Sequence, residues 1–176
     1  MNQTEEVNKI IEEELKRLGK EPKFLERLEV KSISEMETYA NVLWHSYVQI
    51  SSLEYQYPEQ IEIIKEKSLG LLNKYAEINQ KIGELLLKLK PESFKQNNYF
   101  KDMAAQKFII AAGKLFDFLQ SKEIKSDCLV EEKDGIKSFC STKSAYHKVR
   151  ELLNKAESIY EDLAVYYTSK NNYNMA

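Results

Sequence analysis

A chain of 176 residues with 43% hydrophobic and 31% charged side chains has the balance of a folded protein, and its length suits one domain over 1–176. A formal charge of -2 and a pI near 5.9 deny it any global attraction to nucleic acid or anionic lipid. Five glycines and three prolines leave few turn signals, so long helices are expected.

The first helix is expected over 4–18, with Val7, Ile10, Ile11, Leu15 and Leu18 on one stripe and Gly19 as its stop. A short segment, 22–28, begins at Pro22, which suits a first helical turn. Ser34 and Glu37 read as the capping box of a second helix over 34–57. No lysine or arginine occurs anywhere in 32–64. At helical spacing the apolar side chains of 34–57 span roughly two-thirds of the circumference, wider than the stripe of an ordinary surface helix. The remainder, Thr38, Asn41, His45, Gln49, Ser52 and Gln56, is polar but uncharged. Such a helix is expected to lie at the centre of a bundle or to offer its spare face to a partner. Trp44, His45, Gln49, Tyr55 and Tyr57 are the candidate contact residues.

Pro58 removes an N–H that the helical ladder needs, so it ends that helix and opens the next, over 58–90. Ile61, Ile64, Leu71, Tyr75, Ile78, Ile82, Leu85 and Leu89 recur there at three-and-four spacing. A helix this long is expected to project beyond its neighbours, leaving Ile61, Ile64, Leu86 or Leu89 to be covered by another chain. Asn98 is a candidate cap for a fourth major element over 98–121, with Phe100, Phe108, Leu115 and Leu119 on its wide apolar face and Ile109, Ile110 and Phe116 beyond its margins. The helical period breaks over 122–141. A β-hairpin insertion is expected near 127–140, with a three-residue Lys133-Asp134-Gly135 loop placing Cys128 opposite Cys140. A last helix is expected over 142–168, followed by a frayed tail, 170–176. The fold expected is all-α: a mostly antiparallel four- to five-helix bundle carrying that small hairpin. The helices 34–57 and 98–121 should be its most buried members, with Leu43, Trp44, Tyr47, Phe108, Leu115 and Leu152 meeting in the core.

Catalytic and metal chemistry find little support. His45 has Asn41 and Gln49 as helical neighbours, neither of which is a general base. His147 pairs by spacing with Glu151, an ordinary helix-surface arrangement. Cys128, Cys140 and His147 offer three zinc donors but no tight Cys-x₂₋₄-Cys pair, and a di-iron bundle would need Glu-x-x-His motifs, which are absent. The Glu59 and Glu62 carboxylates lack the Glu-x-x-Asp element of helical nucleotide pyrophosphohydrolases. No arginine is followed by a histidine after four to six intervening residues, as HEPN-type ribonucleases require. The glycines at 19, 70, 83, 113 and 135 are isolated, so no phosphate loop is present. No metal, cofactor or catalytic residue is assigned. Cys128 and Cys140 are the candidate disulfide, with free thiols expected in a reducing compartment.

The sequence therefore points to a non-catalytic interaction or assembly subunit whose partner is itself or another protein. An accessory subunit of a nucleic-acid complex is the alternative, using Lys107, Lys114, Lys148 and Lys155 on two helices. An enzyme built around His45 is the second. The first residues lack the basic and apolar regions of a signal peptide, and no run is long and apolar enough to span a bilayer. A cytoplasmic location without membrane contact is the expectation.

Overall fold

The computed structural model describes residues 2–22, 30–121, 131–133, 136–138 and 141–174. Helix α1, Gln3–Arg17, starts from a reciprocal cap: the Glu5 amide donates to Asn2 Oδ1 at 2.9 Å, and the Asn2 amide to Glu5 Oε2 at 3.4 Å. Glu5 and Glu6 sit at its positive end and Lys16 and Arg17 at its negative end, as the helix dipole favours. Gly19, at φ 67°, then adopts the left-handed conformation expected of it. The expected segment 22–28 lies almost wholly outside the described residues.

Helix α2, Val30–Gln56, is helical four residues ahead of the expected capping box. Ser34 is thus inside the helix, where its carbonyl accepts from Thr38 Oγ1 at 3.0 Å. Ile33, one turn into the helix, is buried. Pro58 ends α2 as its chemistry requires, and a 3-10 turn, Pro58–Gln60, leads into α3, Ile61–Lys88. Helix α4, Phe94–Ser121, also begins four residues early. The amide of Gln96 donates to Ser93 Oγ at 3.1 Å, so Ser93, not Asn98, supplies the cap. Helix α5, Ser141–Asn174, keeps helical geometry six residues past the expected end at 168.

Among the described residues five α-helices build the fold, and the expectation of a β-hairpin insertion near 127–140 is corrected: the architecture they form is all-helical. Over that stretch the described residues give only two three-residue segments, Glu131–Lys133 and Ile136–Ser138. Their register also differs from the expected one. Glu131 faces Ser138, Glu132 faces Lys137 and Lys133 faces Ile136, which leaves two residues between them instead of three. The candidate bridge between Cys128 and Cys140 is not reached by these three pairs. Both cysteines lie outside the described residues.

The helices pack in sequence order, α2 on α3, α3 on α4, α4 on α5, with α1 lying against α2 and α3. Their buried side chains form one cluster. Helix α3, between α2 and α4, has the longest buried set, including Ile64, Leu72, Ile78, Ile82 and Leu86. The expectation that α2 lies at the centre is corrected accordingly. Helix α2 buries a single stripe, Ile33, Met36, Ala40, Leu43, Ile50 and Leu53 with Ser46 among them. Leu43, Phe108, Leu115 and Leu152 are core residues as expected, whereas Trp44 and Tyr47 are only half-buried. The extra apolar width of α2 is aromatic edge: Trp44 lies 5.2 Å from the Tyr47 ring and 5.2 Å from that of Tyr75, capping the α2–α3 contact from the side.

Close approach of α3 to α4 depends on Gly83. A Cβ there would stand 2.9 Å from Cε1 of the fully buried Phe108. Helix α1 is attached more lightly. It buries Val7 and Ile11, and Thr4 Oγ1 donates to Gln60 Oε1 at 3.1 Å. A hydrogen bond joins Tyr57 to Glu6; desolvation, then that bond, raises the Tyr57 pKa.

Candidate interaction surface

The neutral stripe of α2 faces solvent: Thr38, Asn41, His45, Gln49, Ser52 and Gln56 are all exposed. Two of its members serve their own helix, since Ser52 Oγ donates to the Gln49 carbonyl at 2.7 Å just as Thr38 does to Ser34. Of the α2 contact candidates, Trp44 is a packed ring with the Lys114 ammonium 4.7 Å above it, and Tyr57 is half-buried against α1. Tyr55 is 92% exposed. It borders a shallow groove of about 570 Å³ at one end of the bundle, where Glu54, Lys65 and several serines mix with Val48 and Leu69.

The α3 candidates divide. Ile64 and Leu86 are buried within this chain, at 0% and 3% exposure, so they need no second chain to cover them. Leu89 packs against the core, and Ile61 is exposed. The projecting helix inferred from length alone is covered because α2 and α4 flank it on both sides.

Three of the four candidate lysines stand beside carboxylates. Lys107 Nζ lies 3.0 Å from Glu37 Oε1, Lys155 Nζ lies 3.2 Å from Glu151 Oε1, and Lys114 Nζ lies 3.5 Å from Asp117 Oδ2. Lys148 is exposed. Among the described residues no group of three or more His, Cys, Asp or Glu side chains is placed to hold a metal ion. No helix of the described residues is long and apolar enough to cross a membrane.

A periodic apolar feature runs along the outside of α4 and α5. Helices α4 and α5 run antiparallel, and three contacts fix their register. The Phe116 and Tyr146 rings meet edge to face with centroids 6.0 Å apart. Ile109 and Leu153 line one groove of about 520 Å³, together with Ala156, Tyr160 and Ala164. Tyr160 hydrogen-bonds to Asp102; burial, then that carboxylate, raises the Tyr160 pKa. Each rung is seven residues from the next on both helices, so the rungs stack along one line about 10 Å apart. Ile109, Phe116, Leu153 and Tyr160 are between 38% and 45% exposed although they flank a packed interface. Two polar pairs on this face are closed within the chain: Asp102 Oδ2 accepts from Gln106 Nε2 at 3.0 Å, and Gln120 Nε2 donates to the Tyr146 hydroxyl at 2.9 Å. A face of this kind loses little on desolvation and gains apolar contact when covered.

The chain is a small all-helical domain with an apolar seam on one side and an uncharged polar stripe on another. Comparison with protein-family models, with curated proteins and with solved structures finds no match for it.

Proposed function

We propose that this chain is a non-catalytic docking or assembly module, and that the α4–α5 seam is the surface it offers to protein. The observation that carries the reading is the series Tyr146, Leu153 and Tyr160 at seven-residue steps on α5, with Phe116 and Ile109 beside it on α4, on an exposed face. Heptad spacing of apolar side chains is the pattern with which helices accept other helices. Single exposed apolar residues are common on any protein, but a contiguous series marks a binding surface. The nucleic-acid alternative is weaker, because three of its four lysines already stand beside carboxylates.

A photoreactive side chain in place of Leu153, compared with one in place of the exposed Glu66 on α3, tests the reading in cells. Protein adducts are expected at position 153 and not at position 66. Equal labelling at both positions, or none at 153, contradicts it.

A further inference from the structure

We infer that the α4–α5 seam pairs with the same seam on a second copy of this chain, the two running antiparallel about a twofold axis at the Ile109–Leu153 rung. This rests on the docking reading and names the partner.

The argument is self-complementarity. Tyr146 and Tyr160 stand seven residues either side of Leu153. A twofold axis at Leu153 therefore lays the Phe116–Tyr146 rung of one copy over the Asp102–Tyr160 rung of the other, and sets Leu153 against Leu153. The charges beside the seam follow the same symmetry. Arg150 lies three residues before Leu153 and Glu157 four after it, both exposed and on the same side of the line. Antiparallel pairing brings Arg150 of each copy to Glu157 of the other, over the groove that Glu157 and Glu161 also wall. The antiparallel arrangement therefore stacks the rings and pairs the opposite charges at both ends of the seam.

The area is sufficient. Three rungs with a turn beyond each end extend about 30 Å, and two helices side by side are about 20 Å across. That footprint is about 600 Å² per copy, which reaches the lower range of specific interfaces when both partners are counted. Isologous pairing of one patch with itself is also the commonest way in which a soluble chain self-assembles.

Sedimentation equilibrium on the full chain, from micromolar to about 0.5 mM, tests the pairing. The mass should move from 20.6 kDa toward twice that value as concentration rises. Arg150→Glu alone and Glu157→Arg alone should each weaken the dimer roughly tenfold, because each sets like charges together at two symmetric places. The double variant Arg150→Glu/Glu157→Arg should recover to within about threefold of the parent, since it restores both pairs in reversed order. Circular dichroism of each variant separates weakened pairing from misfolding. In a Cys128→Ser/Cys140→Ser background, Leu153→Cys should yield a disulfide-linked dimer on mild oxidation, the two introduced thiols facing each other across the axis. A monomer at every concentration overturns the inference, as do folded single variants that pair like the parent, a double variant weaker than both singles, or no linked dimer. Protein adducts at position 153 from a chain that stays monomeric would overturn self-pairing while leaving the docking reading intact.

Discussion

Gly83 shows how much of the packing rests on an atom that is missing. Its Cα faces the ring of Phe108, and an added methyl would lie 2.9 Å from Cε1, inside normal contact. The ring is fully buried and has no solvent-side space to move into. Gly83→Ala should therefore destabilise the bundle by about 1–3 kcal/mol through overpacking, despite the better helix propensity of alanine. Gly70 on the same helix has nothing within 4 Å of the same construction, so Gly70→Ala should stabilise by about 0.5–1 kcal/mol. Urea denaturation of the two variants beside the parent checks the opposite signs. Sequence marks both positions only as isolated glycines in a helix. What separates them is the neighbouring helix, which periodicity within α3 does not contain.

At the level of elements, local chemistry and neighbour relations part company in the same way. Pro58 and Gly19 acted as stops because their effect is confined to their own backbone. The Ser93-x-x-Gln96 pattern that opens α4 is present in the sequence, five residues before the candidate cap Asn98. The central place given to α2 failed for a different reason. Apolar breadth was read as burial, yet Trp44, Tyr47 and Tyr39 spread as half-buried aromatic edges while α3 took the middle. The α4–α5 seam was illegible because its rungs become visible only when two antiparallel helices are set in register. One tie between elements does carry a pH signature. Glu21, just beyond α1, lies 2.8 Å from Lys74 Nζ and 3.0 Å from Lys81 Nζ on α3. The hydrogen bonds from Lys74 and then Lys81 hold its carboxyl below the usual value of 4.5. Its contribution to stability is thus present above the unfolded carboxylate pKa and is lost as pH falls through the depressed folded value. Because the pair is partly solvated, Glu21→Gln should cost no more than about 1 kcal/mol near neutral pH. Unfolding curves should show that difference shrinking as acid protonates the parent carboxylate; a gap that persists or widens in acid would contradict the assignment.

For the whole molecule, α3 packs between α2 and α4, α5 packs on α4, and both α2 and the α4–α5 pair present faces outward. The two outward faces differ in kind. That of α2 is uncharged and polar, with Tyr55 exposed near its end. The α4–α5 face is apolar and periodic, and the account assigns docking to it. Hydroxyl-radical footprinting of the full chain, read residue by residue as concentration rises, compares the two faces within one sample. Labelling of Phe116, Leu153 and Tyr160 should fall together while that of Tyr55 and Val48 stays constant. Protection of Tyr55 and Val48 with the seam residues still labelled would place the interface on α2 and contradict the account.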